Sequence, residues 1–551
     1  MHASPRFTVV GLVGLMTALP ALAAPPSAVR IQPARIDAVF KDYSGPATPG
    51  CALGISQDGK LLYSRGYGTA DLNQGTPITP TTLFDVGSVS KQFTAASVVL
   101  LANEGKLALT DDIRKYVPEL PDPGTPITVD HLLHHTSGLR DYNDLLFLKG
   151  FHYEDVTDDD DALEVIARQR ALRFKPGARF EYSNSGYFLA ALIVKRVTGQ
   201  NLAAFAKERF FQPLGMARSH FRDDHTAVVP GRATAYAPAG KGGFQLDMSN
   251  WNQLGDGQVQ TSVTELVKWE ENFTTARVGG RALIDGLQVR GTLNTGASTS
   301  YGRGLFLDTY RGVERVHHSG AWGGYRAALM RFPAHHLSIA ILCNRADMRP
   351  DIAERVADLV LGHVFQAAEP RDAKAAAPAT LATASGDLAR YAGLYYDEDA
   401  HRVVNVRQQD GKLELAFPGR ALPLRPAGED RFDVEGAPLT LRFAGEQMTF
   451  LRSEEIRTVF KRVQPASSLS DAAWKQLVGT YYSPELEVTW RIELKDGKAV
   501  LKGRALGSPP LVPAFADAFN TPHGLLHLTR DASGQVTGFG FGDLRFERKP
   551  R

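Results

Sequence analysis

The sequence predicts an α+β protein: an antiparallel sheet flanked by helices in residues 31–365, followed by two small antiparallel β-barrels in 388–464 and 471–551. Three observations predict it. β-like runs stand at both ends of the first region, at 51–55 with 61–64 and at 327–332 with 337–343, and helical patterns fill the space between. A sheet closed by both ends of its domain, with helices packed around it, accounts for that order. Residues 366–387 are Ala-rich with scattered Pro, Thr and Ser, the composition of a linker. Beyond it the chain repeats itself. Gly393, Tyr395 and Tyr396 recur as Gly479, Tyr481 and Tyr482, Asp410-Gly411-Lys412 as Asp496-Gly497-Lys498, and Phe460 and Arg462 as Phe546 and Arg548, all in one register of 86 residues. Asp430-x-Phe432 matches Asp517-x-Phe519 with a slip of one residue. Each copy alternates short strands with Asp-Gly turns, the pattern of a small antiparallel barrel.

The elements follow in order. Arg6 precedes an uncharged apolar stretch, 7–19, and Ala21-Leu22-Ala23 forms an A-x-A site. Residues 1–23 therefore read as a secretory signal cleaved after Ala23, and the mature chain is expected in the periplasm or outside the cell. The stretch is shorter than the roughly 20 apolar residues of a membrane span, and no later segment reaches that length, so no span is expected after cleavage. Residues 31–42 read as a helix, and Asp58-Gly59 turns the strand at 51–55 into a hairpin. From Ser88 to Glu104 there is neither Pro nor Gly, and Ala95, Ala96, Val99 and Leu100 give a helix body that Gly105 stops. Thr128 opens another helix, which ends in His134-His135-Thr136-Ser137-Gly138. The four carboxylates of 158–161 precede an apolar-periodic helix (Leu163, Val165, Ile166) and read as acids at its N-terminus rather than as a metal site. Helices are also expected at 188–197, closed by Gly199, at 265–273 and at 351–365.

The chain of 551 residues is 43% hydrophobic and 22% charged, with a formal charge of +2. That is ordinary globular composition and gives no reason to expect nucleic acid or a charged membrane as partner. The two cysteines, Cys51 and Cys343, sit in strand-like runs without metal-ligand spacing. An oxidising compartment permits a disulfide, and two buried unpaired thiols fit equally well. No metal or cofactor is expected.

Ser88 and Lys91 stand three residues apart at the start of a helix, so they share a face. A helix N-terminus also favours negative charge, which suits an activated alkoxide. An isolated S-x-x-K is as readily a capping serine and a solvated lysine. Here Tyr182-Ser183-Asn184 and then His318-Ser319-Gly320 follow it on one domain, after a signal sequence. In that order the three motifs resemble those of the penicillin-recognising serine hydrolases, whose fold is the β-lactamase/transpeptidase type. The stretches at 83–91, 132–138 and 176–186 look like that family too, and the resemblance covers roughly 35–365. Where β-lactamases carry Lys-Thr-Gly this chain has His318-Ser319-Gly320, which speaks against β-lactam hydrolysis as its natural role. The H-x-G variant with two repeated barrels is most like the bacterial D-aminopeptidases.

The resemblance implies an acyl-enzyme at Ser88, with Lys91 as its activator and Tyr182 as base and then acid. A serine hydroxyl needs such partners to attack a carbonyl. Two nearby cations, Lys91 and His318, are expected to depress Tyr182 toward a phenolate. Asn184 is expected to orient Lys91 and the substrate amide. The family places its oxyanion hole on the backbone N–H groups of Ser88 and Ala321, the residue after Gly320. His318, at an ordinary histidine pKa, is expected to change charge near neutral pH. His134 and His135 read as structural, His317 as facing away from His318, and Ser90 as holding the helix start. In the D-aminopeptidases a loop of the last barrel reaches the active site. Residues 513–521 are the candidate here, with Asp517 for the substrate's amine, although Asp430 at the matching place in the first copy favours a barrel turn. The partner is expected to be a small molecule or short peptide, with a D-aminopeptidase-like hydrolysis first. An esterase, a DD-carboxypeptidase or β-lactamase, and a non-hydrolytic penicillin- or peptidoglycan-fragment-binding protein are the alternatives. Whether the barrels pair subunits into a homo-oligomer stays open.

Overall fold

The computed structural model describes residues 29–365 and 388–550, apart from 400, 418–419, 436–438, 452–456, 467–468 and 505–506. The expected signal sequence and the Ala-rich linker lie outside the described residues.

Six antiparallel strands form the main sheet, in the order Phe306–Tyr310, Val313–Trp322, Tyr325–Phe332, Leu337–Cys343, Cys51–Gln57 and Lys60–Tyr67. The first hairpin joins the last strand in a register running from Cys51 opposite Cys343 to Gln57 opposite Leu337, so both ends of the domain close one sheet. Cys51 and Cys343, facing each other across that register, form a disulfide. Leu53 and Ile55 pack with Ile36 and Val356 from the terminal helices Pro33–Val39 and Ile352–Leu361. Ala52, on the other face, joins the larger core that holds the remaining helices. Strands covered on both faces read as unbroken apolar runs, as 337–343 does here.

The helix Lys91–Asn103 is buried at every position from Lys91 to Leu101. A helix buried all round belongs in a core, and its polar members are bonded there: Thr94 Oγ1 donates to Gly255 O at 2.6 Å and Ser97 Oγ to Phe93 O at 2.8 Å. It begins in a tighter 3-10 turn, Gly87–Ser90, rather than as α-helix from Ser88. That difference matters, because residues i and i+3 eclipse one another in a 3-10 turn. The acidic run at 158–161 is a cap: Asp158 accepts from the N–H groups of Asp160 and Asp161, and Asp161 reaches back to Asp158 N.

The two C-terminal copies share their devices. Tyr395 and Tyr481 are fully buried, each donates its hydroxyl to the carbonyl four residues back, and Arg462 and Arg548 lie over their rings. Asp430 and Asp517 both adopt φ +56, and their carbonyls accept from Phe443 N and Leu528 N at 2.8 Å. The first copy is a closed barrel of eight strands. The second has eight strands too, but among the described residues its edge strands Lys498–Lys502 and Val512–Phe515 are not laddered to each other; the first bonds instead to the segment before the second, where Leu501 N donates to Pro509 O and Leu511 N to Ala499 O. Pro509, Pro510 and Pro513 lack the N–H groups a ladder needs there, so this sheet is an open barrel. Its core is continuous with that of the first domain, whereas the first barrel keeps a core of its own. Among the described residues no helix is long and apolar enough to cross a membrane.

Candidate active site

The turn that carries Ser88 is pressed against the end of the Val313–Trp322 strand. Gly87 takes φ +49, and a side chain there would strike Ala321 N. A Cβ on Gly320 would stand 1.9 Å from Val86 O. Both positions must be glycine for the two backbones to approach so closely. The hairpin ends in the two-residue loop Gly323-Gly324, so Trp322 and Tyr325 form its bonded pair and Ala321 lies opposite Arg326 as a non-bonded one. That alternation turns Ala321 N–H away from its hairpin partner and toward the Ser88 turn. The backbone N–H groups of Ser88 and Ala321 thus stand on the same side of the cleft.

Lys91 is completely buried, and all three of its N–H donors are spent. Nζ donates to Ser88 Oγ at 3.0 Å, to Asn184 Oδ1 at 2.7 Å and to the Asp256 carbonyl at 2.7 Å. Burial pushes its pKa down to about 8, while Asp256 and Asp141 hold it from falling further. Asn184 opens the helix Asn184–Thr198 and is itself fixed by Asp141, whose Oδ2 accepts from Asn184 N at 2.7 Å and Nδ2 at 2.9 Å. Tyr142 donates to Asp256 Oδ1 at 3.0 Å, tying the residue whose carbonyl receives Lys91. Ser90 is buried and its Oγ accepts from Val259 N at 3.0 Å, which anchors the helix start.

Tyr182 joins this group with its ring 4.9 Å from Lys91 Nζ. Its hydroxyl is buried without a well-formed hydrogen bond. Burial, then Tyr187 and Asp256, push its pKa well above the ordinary tyrosine value, and Ser88 pulls only partly against them. The expected depression toward a phenolate is therefore not what this site produces. His135, read from the sequence as structural, stacks on Tyr182 at 4.1 Å and accepts from Ser183 N at 3.1 Å through Nδ1.

His318 corrects a second expectation. It is 2% exposed and sits beneath the cleft rather than on its wall. Nδ1 lies 2.6 Å from the Ser319 carbonyl, which can only accept, so Nδ1 bears the proton and Nε2 accepts from the Tyr301 hydroxyl at 3.0 Å. Burial and the charge of Lys91 push its pKa down to about 3. It stays neutral across the physiological range and does not change charge near neutrality. His317, on the opposite face of the strand, pairs with Asp308. Asp517 sits in a barrel turn paired with Arg530 at 2.8 Å and is not among the residues lining the cleft.

Ser88, Tyr182, Asn184 and Ala321 line a cleft of about 270 Å³. A larger cavity of about 520 Å³, walled by Leu120, Ile127 and Phe174, holds none of the motif residues, so chemistry and not volume marks the site. The cleft also contains residues the sequence reading missed. Phe147, Tyr153 and Trp322 make an aromatic wall, and Asp144 faces the cleft beside Asn143. Asn143 Oδ1 is buried without a partner. Desolvation by the surrounding cleft walls and then the Asp141 carboxylate raise the pKa of Asp144, although its side chain is open to solvent. Of the residues missed, only Asp256 had a signal, in the turn-like Leu254-Gly255-Asp256-Gly257; Asp141 and Asp144 read as ordinary acids near a helix start.

A sheet closed by both ends of the domain, with a cleft-lining serine bonded to a buried lysine beside the end of one strand, defines a β-lactamase-like domain. The profile of the Beta-lactamase family matches residues 36–363, and the chain belongs to that family. It is similar to a D-aminopeptidase of Cereibacter sphaeroides, 28% identical over 84% of each chain. It is also similar to a D-aminopeptidase of Brucella anthropi, 26% identical over 91% of this chain and 94% of that one. Among solved structures, the octameric penicillin-binding protein homologue from Pyrococcus abyssi shares the fold, with a TM-score of 0.54 and 23% identity over 75% of this chain and 96% of that one.

Proposed function

We propose that this chain is an exported serine hydrolase that acts through an acyl-enzyme at Ser88 on small amides bearing a free amine, in the manner of a D-aminopeptidase. The observation that carries the reading is Lys91. Asn184 Oδ1 and the Asp256 carbonyl can only accept. When Nζ loses one proton, its two remaining N–H bonds go to them and its lone pair faces Ser88 Oγ. Neutral Lys91 then takes the Ser88 proton as Oγ attacks the substrate carbonyl. The oxyanion falls between Ser88 N–H and Ala321 N–H. Tyr182, kept protonated by burial, gives its proton to the leaving amine as the C–N bond breaks, and Lys91 returns a proton to Tyr182. Water then enters and gives a proton to Lys91 as its oxygen attacks the ester carbonyl; the C–Oγ bond breaks, and Lys91 returns that proton to Ser88 Oγ.

The amine is supported by the wall of the cleft. Asp144 offers an acceptor to an ammonium group, while Phe147, Tyr153 and Trp322 offer an apolar surface to a side chain. The names of the D-aminopeptidase relatives agree with that class of substrate. The test is a panel of D- and L-amino-acid anilides, a p-nitrophenyl ester and a chromogenic cephalosporin, run on wild type and Ser88→Ala together. Turnover of D-amino-acid anilides that Ser88→Ala abolishes is expected. Full activity in Ser88→Ala sinks the assignment, and acylation of Ser88 by penicillin without turnover of any substrate favours a binding protein.

A further inference from the structure

The two C-terminal copies differ where their first two strands turn over. In the first copy Asp399 is exposed at that turn. Its counterpart in the second copy is Glu485, whose side chain is only 6% exposed and forms an ion pair with Arg140, equally buried. Leu486, beside it, is 1% exposed within the core of the first domain. Arg168 clamps the same turn from outside: Nε donates to Glu485 O at 3.0 Å and the guanidinium meets Glu487 at 2.5 Å.

Arg140 is not a peripheral anchor. Its N–H donates to Gln169 Oε1 at 2.9 Å and its carbonyl accepts from Ser185 Oγ at 2.6 Å. The next residue is Asp141, which holds Asn184 by two bonds, and Asn184 holds Lys91 Nζ. A continuous bonded path therefore joins the second copy to the base beside Ser88.

We propose that the second β unit is part of the catalytic apparatus, with Glu485 as a positioning residue that acts through Arg140 and Asp141 on Asn184 and Lys91. The physical reason is that a buried guanidinium robbed of its carboxylate must find another. Asp141, adjacent in the chain, is the carboxylate at hand, and drawing it off Asn184 loosens the acceptor of Lys91. An uncompensated Arg140 charge and a distracted Asp141 both disfavour the ammonium form of Lys91, so both move its titration to lower pH. At the matching turn of the first copy the Asp399 side chain is exposed, and among the described residues only its backbone carbonyl meets the first domain, accepting from Arg179 at 3.3 Å.

The test rests on Ser88 as nucleophile and uses its labelling by a fluorophosphonate, which does not depend on knowing the substrate. Glu485→Gln in the full chain is expected to lower the saturating labelling rate about tenfold or more, with apparent probe affinity within about twofold. The midpoint of its pH–rate profile moves below that of wild type, Glu485→Asp restores the midpoint, and Asp399→Asn changes neither quantity. The double variant Arg140→Met/Glu485→Met replaces the buried pair by packed apolar side chains and leaves no guanidinium to draw Asp141 away, so it is expected to recover the wild-type midpoint and most of the rate; if Glu485→Gln does not fold, Glu485→Met alone takes its place in the comparison. A folded single variant that labels at the wild-type rate, or a double variant as slow as the single one, overturns the proposal. So does a rate lost only in step with the folded fraction while the midpoint stays in place. A wild-type chain that the probe does not label overturns the Ser88 reading, and this one with it.

Discussion

Two buried bases flank the Ser88 turn, and the fold treats them differently. Lys91 and His318 are both removed from water, and burial pushes both pKa values down. Lys91 starts high, keeps Asp256 and Asp141 near it, and stops at about 8. His318 starts near neutrality, faces Lys91 rather than a carboxylate, and falls to about 3. Burial thus leaves the lysine with a pKa of about 8, which suits the base role proposed above, and the histidine with one of about 3, which suits a neutral hydrogen-bonding group. Desolvation yields a useful base only where the starting pKa is high and counter-charges limit the fall.

The largest way to break this comparison is to remove the lysine. Lys91→Met should cost about 10³-fold or more in kcat/KM, within the range of a general base and nucleophile activator, while the melting temperature holds or rises because a buried charge is gone. A variant that keeps within tenfold of wild-type activity would mean that another group deprotonates Ser88. Tyr182→Phe comes next, with a fall of about 10²-fold in kcat on an anilide. The fall should be much smaller on a p-nitrophenyl ester, whose leaving group needs no proton. Equal losses on both substrates would remove the acid role from Tyr182.

The pH profile sharpens the comparison directly. Only neutral Lys91 can take the proton, so kcat/KM on an uncharged substrate should rise about tenfold per pH unit and level off above about 8, the pKa of Lys91. His318→Gln should keep that midpoint even if its rate is lower; a midpoint that moves by a full unit would give His318 a titrating role after all. The smallest effect concerns the substrate side. Asp144→Asn should raise KM about tenfold for an amine-bearing anilide, leave kcat nearly unchanged, and do nothing to its N-acetyl analogue. An equal rise for the acetylated substrate would move the amine elsewhere in the cleft.

Much of this was legible before any coordinates. The hairpin at Asp58-Gly59, the helix that Gly105 stops and the cap at Asp158 all follow from local rules, and the structure has them where those rules place them. The three motifs meet at one cleft because an S-x-x-K turn, a Tyr-x-Asn helix start and a strand edge are each short, local features. The repeat was visible because its shared residues are barrel devices: Tyr395 and Tyr481 as buried hydroxyl donors, Asp430 and Asp517 as left-handed turn residues. That same equivalence is why Asp517 belongs to a turn and not to the cleft. What was not legible depends on distant neighbours. Asp141, Asp256 and Glu485 lie 50 or more residues from Lys91, and nothing in their local sequence announces the bonds they make.

Element types, motif order, the repeat and the residue types capable of acyl transfer are all written in the chain, because each rests on local periodicity, turn chemistry and side-chain functional groups. Tertiary structure alone decided the charge states. Whether Tyr182 is a phenolate or a phenol, whether His318 titrates, and whether Lys91 is an ammonium or an amine are set by desolvation and by carboxylates brought from afar. It also decided the choice between paired and unpaired cysteines, which only the register of Cys51 against Cys343 could make. A pKa is a property of an environment, and the environment of Ser88 is assembled from both ends of the first domain and braced by the last.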